Sequence, residues 1–326
     1  MIRRFLLSIP IFLTLFSSCS STKDDSPLML ITKKNGVEQL FNLDANGELS
    51  RLTNDSGRIS NPVLSPDRTK LAYMSEDLGN WDIYIYDIHS GKNLNLTRNP
   101  AIDGFASWSL NGDKVAYMSA ESGSRHIYVS NIDGSNKKQI TTGESMDTET
   151  IWSPSNPSVL YFKSATGIEE SLIRIDMKKG GLFRVTSGGA HEVLRQIPGR
   201  NQISFIQRTA NRNALWIFDE DEEESYSLVE TPSRMTGYAW SPDGKTLGIV
   251  INSNLEIYKY NVENGLMYAF TIDHAAYPAW SKNGQDIYYN KRVESGNLQI
   301  FKRNLKTNKE IQLTNEPFDC TDAMPY

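Results

Sequence analysis

A short turn motif recurs along the chain at nearly constant spacing. Its clearest copy is Trp240-Ser241-Pro242-Asp243-Gly244, in which a strand ends at the Trp and the next residues have the backbone preferences of a tight turn. The corresponding anchor residues occupy positions 64, 108, 152, 197, 240 and 280, which are 44, 44, 45, 43 and 40 residues apart. A period of this size that contains short strands indicates the blades of a β-propeller.

Each period contains the same order of four short strands. The second strand is apolar, as in Leu28–Thr32, and the third alternates aromatic and β-branched residues, as in Asp82–Asp87. The fourth ends on a pair such as Leu96-Thr97. Sustained helical periodicity is missing from the chain after its N-terminal segment. The sequence therefore predicts an all-β propeller with seven four-stranded blades, and six or eight blades are the alternatives.

The two ends of the repeat array are incomplete in complementary ways. The first unit begins at Leu28 and lacks an opening strand, whereas the chain continues beyond Thr314 into a segment that aligns with the lead-in to an inner strand. Tyr326 follows Trp280 by 46 residues, which fits the period. We therefore expect the C-terminal strand to pair with the N-terminal blade and close the ring, which hides the edges that an open sheet would expose.

The first residues have the features of a secretion signal. Arg3 and Arg4 precede an apolar stretch over residues 5–16, which is too short to span a membrane comfortably, and small residues lead to Cys19. The segment resembles a bacterial lipobox, which implies that Cys19 becomes the lipidated N-terminus. The alternative is an ordinary secretory signal with an incidental cysteine. The predicted organisation is a signal peptide at 1–18, a lipidated cysteine and tether at 19–27, and a propeller at 28–326.

Composition and motifs narrow the classes of function. The chain has a net charge of −5 and no basic stripe with interleaved aromatic residues, so nucleic acid is not an expected partner. Of the two cysteines, Cys19 and Cys320, the second is predicted to be a buried structural residue, and no disulfide framework is expected. Neither a Gly-x-Ser-x-Gly nor a His-Glu-x-x-His motif occurs. We therefore expect no cofactor and no metal, and the motifs favour a non-enzymatic role without deciding the question.

The repeat resembles that of the TolB-like β-propeller family. The residues that carry the resemblance are the Trp240–Gly244 turn, the Ile83-Tyr84 pair of a third strand and the Leu96-Thr97 pair of a fourth strand. The resemblance covers residues 28–326 and implies the propeller fold. Propellers of the prolyl oligopeptidase group share such repeats.

Eight ionisable residues lie just before or at the start of the predicted inner strands. Inner strands line the central channel of a propeller, so these side chains are expected to ring one mouth of the channel and to bind a ligand there. The residues are Arg58, Asp103, Asp147, His191, Glu192, Arg234, His274 and Asp322. The structural alternative is that they hydrogen-bond neighbouring blades and loops. The resemblance to oligogalacturonate lyases, which hold a divalent ion with histidine on such a propeller, makes His191 and His274 candidates for that role.

The leading hypothesis is a lipid-anchored protein of the bacterial outer membrane, facing the periplasm or the surface. It would bind an envelope protein or peptide as a monomer. The alternative is a carbohydrate-binding protein or a metal-dependent carbohydrate-active enzyme that uses the channel mouth. The anchor tryptophans are predicted to fill the space between blades, and the acidic run at 219–224 is predicted to be a solvated loop.

Overall fold

The computed structural model describes residues 27–54 and 56–326. The predicted signal peptide, Cys19 and all but the last residue of the tether lie outside these residues. One short 3-10 helix, Lys34–Gly36, occurs in the described part of the chain, and the rest of its regular structure is strand. No helix of this part is long and apolar enough to cross a membrane.

The described residues contain twenty-eight strands. In chain order the first fourteen are β1 (Leu28–Thr32), β2 (Gln39–Leu43), β3 (Leu49–Arg51), β4 (Ile59–Leu64), β5 (Lys70–Ser75), β6 (Asp82–Asp87), β7 (Asn93–Asn95), β8 (Asp103–Trp108), β9 (Lys114–Ser119), β10 (His126–Asn131), β11 (Lys138–Gln139), β12 (Met146–Trp152), β13 (Val159–Thr166) and β14 (Glu169–Asp176). The remainder are β15 (Leu182–Ser187), β16 (Ala190–Gln196), β17 (Gln202–Arg208), β18 (Asn213–Asp219), β19 (Glu224–Thr231), β20 (Met235–Trp240), β21 (Thr246–Ile251), β22 (Asn254–Asn261), β23 (Gly265–Ile272), β24 (Ala275–Trp280), β25 (Asp286–Arg292), β26 (Leu298–Asn304), β27 (Glu310–Gln312) and β28 (Cys320–Pro325).

These strands form seven antiparallel four-stranded sheets, which confirms the predicted blade number. Blade 1 contains, from the inside outwards, β28, β1, β2 and β3. Blades 2 to 7 take the remaining strands in consecutive runs of four, from β4–β7 to β24–β27. The innermost strand of each blade is therefore β28, β4, β8, β12, β16, β20 or β24.

The ring closes as the sequence predicts. Strand β28 pairs antiparallel with β1, so that Leu28 lies opposite Pro325 and Thr32 lies opposite Cys320. Beyond the ladder, the backbone N–H of Tyr326 donates to the carbonyl of Pro27 at 3.1 Å. The first blade therefore contains strands from both ends of the described chain, and Cys320 is buried within it.

The hydrophobic core is divided among the interfaces between blades. The buried apolar side chains form seven clusters, each of which joins two neighbouring blades. The cluster between blades 1 and 2, for example, contains Met29, Tyr73 and Met324. Each sheet buries both faces against its neighbours, which is the reason the repeat is stable only as an array.

The anchor tryptophans link the four blades that contain them to the preceding blade. The indole N–H of Trp108 donates to the carbonyl of Val63 at 2.8 Å, and that of Trp152 donates to the carbonyl of Ser107 at 3.1 Å. In both pairs the accepting residue directly precedes the anchor of the neighbouring blade. All four anchor tryptophans are buried, which confirms that they fill the space between blades.

The Leu-Thr signature of the fourth strand has a specific structural role. In four blades the threonine hydroxyl accepts a hydrogen bond from a backbone N–H of the third strand, with Thr97 and Ile83 at 3.0 Å as one example. The other three pairs are Thr53 with Leu40, Thr141 with Ile127 and Thr314 with Ile300. In these blades the outer strand has only two or three residues, so a side chain continues the ladder where the outer strand is absent.

The acidic run at 219–224 is largely exposed, as predicted for a solvated loop, and two of its carboxylates also have partners in a neighbouring blade. Glu220 accepts a hydrogen bond from the Tyr161 hydroxyl at 2.8 Å, and Glu223 lies 2.9 Å from the guanidinium of Arg174. Both partners belong to blade 4, whereas the run joins β18 to β19 in blade 5. Two carboxylates of the run therefore tie neighbouring blades together.

Candidate binding site in the central channel

A β-bulge interrupts every inner strand near its middle. The pairing register of each of these strands shifts by at least one residue. In six blades a residue other than glycine takes a positive φ at the bulge, between 36° and 56°: Asn61, Phe105, Glu149, Val193, Tyr277 and Asp322. This conformation is unfavourable for most residues and most of all for a β-branched one such as Val193. Bulges of this kind change the direction in which a side chain points.

Five of the bulge residues line one cavity of about 710 Å³ in the channel: Asn61, Phe105, Glu149, Val193 and Asp322. They come from blades 1 to 5. The other lining residues belong to the later halves of inner strands, and Pro66 belongs to the turn that follows β4. The cavity therefore occupies the half of the channel nearest the Trp-Ser-Pro turns. Its volume falls within the range of about 300–1,000 Å³ that is usual for ligand sites.

Asp322 places an unpaired carboxylate on the cavity wall. Burial raises the pKa of Asp322, and the Thr321 hydroxyl opposes this shift by hydrogen bonding to the carboxylate. Among the described residues, no lysine or arginine lies within ion-pair distance of it. The ionised form of Asp322 is therefore poorly compensated by the protein itself.

Glu149 is a second carboxylate on this wall, and it has a partner. Its Oε1 lies 3.6 Å from the Lys163 ammonium, which lies 3.5 Å from Glu170 on its other side. Burial raises the pKa of Glu149, and the charges of Lys163 and Arg195 oppose that shift. Its Oε2 is buried without a hydrogen-bond partner in the described structure.

Arg195 supplies a cation to the same cavity. Its side chain is exposed to the cavity, and its guanidinium donates to the carbonyl of Leu194 at 3.0 Å. The described residues form no ion pair within 4.0 Å of it. Arg195 is therefore free to meet an anionic group of a ligand.

His191 lies behind the channel wall and not at its mouth. The imidazole is fully buried, with Nε2 2.5 Å from the Thr186 hydroxyl and Nδ1 3.7 Å from the Glu170 carboxylate. Burial lowers the pKa of His191, so the ring is neutral at pH 7. Since Glu170 also contacts Lys163, His191 ends a polar chain that starts at Glu149 in the cavity.

Two of the sequence-predicted aspartates are buried within the blades. Asp103 accepts a hydrogen bond from the Asn99 side chain at 2.6 Å, and burial raises the pKa of Asp103 to about 6. Asp147 accepts from the Ser164 hydroxyl at 2.7 Å and lies 3.5 Å from Nδ1 of His126. Neither side chain lines the cavity.

The remaining predicted residues are separate from one another. Arg58 pairs with Glu76 at 2.8 Å, and Glu192 pairs with Arg208 at 2.7 Å. Arg234 and His274 are exposed residues that immediately precede the inner strands of blades 6 and 7. Of the eight residues singled out from the sequence, the structure therefore brings Asp322 alone to the cavity.

The position that sequence reasoning missed lies three residues before the anchor. Asn61, Phe105, Glu149 and Tyr277 all occupy it, counted from positions 64, 108, 152 and 280. The signal was present in the sequence, because this position changes from amide to aromatic to carboxylate while the residues of the anchor turn repeat. Variation at one position of a regular repeat suits a residue that contacts a ligand more than one that packs between blades.

The described residues do not fit a divalent metal centre. In residues 27–54 and 56–326, no three His, Cys, Asp or Glu side chains are grouped closely enough to hold an ion. His191 is engaged by Thr186 and Glu170 within the wall, and His274 is exposed on another blade. The two histidines are thus not part of one ligand set.

The fold and the channel define a seven-bladed β-propeller with a potential ligand site at its centre. Residues 28–234 match the family model of the TolB beta propeller domain. Because this match covers more than half of the chain, the protein belongs to the TolB β-propeller family. No curated protein matches the sequence at a significant level.

Solved structures share the fold at low sequence identity. TolB from Acinetobacter baumannii is 18% identical over 92% of this chain and 66% of its own, with a TM-score of 0.56. An oligogalacturonate lyase in complex with manganese is 14% identical over 89% of this chain and 85% of its own, with a TM-score of 0.67. A puromycin-hydrolysing peptidase from Mycobacterium tuberculosis is 13% identical over 86% and 50%, with a TM-score of 0.66. This chain thus spans just under two thirds of that TolB, and the likenesses show the fold alone.

Proposed function

We propose that the protein is a non-catalytic binding module of the bacterial cell envelope that takes a polypeptide segment of a partner protein into its central channel. The observation that carries the proposal is the cavity of about 710 Å³ lined by side chains from five blades. Membership of the TolB β-propeller family supports an interaction role. In the described part of the chain, blades 1 to 5 all contribute residues to this one cavity, so a single ligand can contact all five there.

The lining of the cavity suits a polypeptide. Phe105 and Val193 offer apolar surface, whereas Asp322 and Arg195 offer charges of opposite sign. A peptide carries both apolar and ionisable groups along one extended chain, so it can satisfy such a lining throughout its length. The bulges set the direction in which these side chains leave the backbone before the ligand arrives, and a preformed lining lowers the entropic cost of binding.

The proposed location in the envelope rests on the N-terminal sequence. The lipobox-like segment ending at Cys19 would attach the propeller to the outer membrane by a lipid. Labelling cells with a fatty-acid analogue tests this directly, since the full chain should take up label and Cys19→Ser should not. An unlabelled wild-type chain would favour an ordinary secretory signal.

Photo-crosslinking in intact cells tests the binding role. A photoreactive phenylalanine analogue at Phe105 lies on the cavity wall, and the same analogue at the exposed His89 lies on the turn after β6. We expect a specific protein adduct from position 105 and none from position 89. Equal adducts from both positions, or none from 105, would contradict binding in the channel.

A carbohydrate-active enzyme is the alternative function, and its supporting observation is the likeness in fold to the lyase. The purified protein, supplied with oligogalacturonate and Mn²⁺, should release no unsaturated product if the proposed function is correct. Accumulation of such a product, measured by ultraviolet absorbance, would replace the binding role with catalysis.

A further inference from the structure

Two side chains of opposite charge line the channel cavity from well-separated blades. Asp322 belongs to β28 of blade 1, and Arg195 belongs to β16 of blade 5. In a ring of seven blades, these two blades are separated by the largest possible number of steps, three. Both side chains line the same cavity, and neither forms an ion pair with another described residue. A ligand that fills the cavity therefore meets a carboxylate on one wall and a guanidinium on the other.

Asp322 lies on the cavity wall, and burial raises its pKa, which favours the neutral form of its carboxyl. A carboxylate withdrawn from water without a counter-charge disfavours the folded state, and among the described residues it is the neighbouring Thr321 hydroxyl that opposes this effect by hydrogen bonding. The backbone at position 322 has a φ of 52° at the bulge, and asparagine adopts this conformation as readily as aspartate does. Groups that a fold retains against its own stability are concentrated at functional sites.

The other carboxylate of the cavity, Glu149, is less available than Asp322 to a cationic group of a ligand. Glu149 already faces the Lys163 ammonium at 3.6 Å, so a cation of the protein itself lies beside this carboxylate. Phe105, on blade 3, contributes no charge. Asp322 is thus the carboxylate of the cavity that remains available to an incoming cation.

We propose that the channel recognises a polypeptide segment carrying charges of both signs, with an ammonium or guanidinium group paired to Asp322 and an anionic group paired to Arg195. This inference rests on the proposed function and specifies the chemistry of its ligand. Ion pairs formed inside the cavity are screened by water less than pairs at an open surface, so each contributes to affinity and fixes the direction of the bound segment. The apolar groups between the charges would lie against Phe105 and Val193.

A peptide library on the immobilised full-length protein tests the inference. Random hexapeptides capped at both ends are passed over the immobilised wild type, Asp322→Asn and Arg195→Gln. The composition of the peptides that each protein retains is then measured by mass spectrometry. We expect lysine and arginine to be enriched on the wild type, and Asp322→Asn to lower affinity for the enriched peptides by about tenfold or more, as for loss of a charged hydrogen bond. Arg195→Gln should instead abolish enrichment of aspartate and glutamate.

A second library distinguishes the two sources of a cationic group. Its peptides have a free N-terminus and contain neither lysine nor arginine. Retention of this library on the wild type, with loss on Asp322→Asn, would assign the cation to a chain terminus. Retention of the capped library alone would assign it to a side chain.

Controls separate this inference from folding and from the proposed function. Asp273→Asn makes the same change at an exposed residue before β24 and should bind as the wild type does. The thermal midpoint of Asp322→Asn should equal or exceed that of the wild type, which shows that lost binding is not lost structure. Enrichment of neutral segments, unchanged in both channel variants, would overturn this inference and leave the proposed function standing. A wild type that retains no peptide would overturn both.

Discussion

A carboxylate that is buried without a counter-charge disfavours the folded state, so each such residue in this protein needs a structural or functional explanation. Asp103 and Asp322 both have their pKa raised by burial, yet they occupy different places. Asp103 lies within blade 3 and is hydrogen-bonded by Asn99, whereas Asp322 lies on the cavity wall. A raised pKa therefore belongs to a structural group in one case and to a ligand-binding candidate in the other. Only the surroundings of the two carboxyl groups distinguish them.

The pH dependence of stability should reveal Asp103. Its pKa rises to about 6 in the folded protein, against about 4 in an unfolded chain. Between these values the folded state binds more protons than the unfolded state, so this group lowers the free energy of unfolding as the pH rises through the folded-state pKa of about 6, and the loss levels off at higher pH. Chemical denaturation from pH 4 to 7 should show a shallower decline for Asp103→Asn than for the wild type. Identical slopes for the two proteins would contradict this assignment.

The indole hydrogen bonds between blades can be tested with a matched pair of variants. Trp152→Phe leaves the Ser107 carbonyl without its donor, which should cost about 1–3 kcal/mol in addition to the lost volume. Trp216→Phe removes a buried indole N–H that has no hydrogen-bond partner in the described structure, so it loses volume but no hydrogen bond, and it also relieves the cost of burying that N–H. Urea denaturation should place Trp152→Phe clearly below Trp216→Phe in stability. Equal losses would show that the hydrogen bond to Ser107 contributes nothing.

At the scale of the strand, blades differ in how the outer edge is completed. Blades 4, 5 and 6 have outer strands of 6, 8 and 8 residues, whereas the other blades have outer strands of only 3, 3, 2 and 3. The short strands are the ones continued by a threonine hydroxyl. The repeated Leu-Thr signature thus substitutes for strand length.

Removing one such hydroxyl should destabilise its blade. Thr97→Val leaves the buried N–H of Ile83 without an acceptor and removes the contact with Asp82, so a loss of about 1–3 kcal/mol is expected. Thr271 in blade 6 contacts the exposed Tyr268 hydroxyl, and Thr271→Val should change stability by less than about 0.5 kcal/mol. The comparison is made by thermal unfolding. A cost for Thr271→Val as large as that for Thr97→Val would contradict this role.

Sequence reasoning located the strands well and the cavity poorly, for a physical reason. Strand β1 was predicted as Leu28–Thr32, the range it occupies, because apolar alternation and turn residues report directly on strand and turn. Bulges depend on the pairing register between two strands, which no local pattern encodes. The change of direction at Asn61 or Glu149 was therefore not visible, and residues at the start of the strands were chosen instead. Asp322 was found because it lies on the closing strand, which was correctly aligned.

At the scale of the whole molecule, stability depends on closing the ring. Strand β28 contributes Met324 to the cluster between blades 1 and 2, and Cys320 and Ala323 to the cluster between blades 7 and 1. Its backbone also completes the ladder of β1. The two interfaces flanking blade 1 therefore share one strand from the far end of the chain.

Removing the last eight residues, 319–326, should lower the thermal midpoint sharply. The deletion exposes apolar side chains in two clusters, and the loss should exceed the cost of about 2–5 kcal/mol for truncating a single large core residue. A chain with a short glycine-serine extension after Tyr326 controls for a changed C-terminus and should unfold as the wild type does. Unaltered unfolding of the truncated chain would contradict ring closure by β28.

Binding within the channel is the claim on which the functional account depends, and a crystal structure of the protein with its crosslinked or captured segment tests it most directly. We predict density for the segment in the half of the channel nearest the Trp-Ser-Pro turns, with a cationic group of the ligand beside Asp322 and an anionic group beside Arg195. A segment bound on the outer edges of the blades, with the channel free of it, would contradict the account.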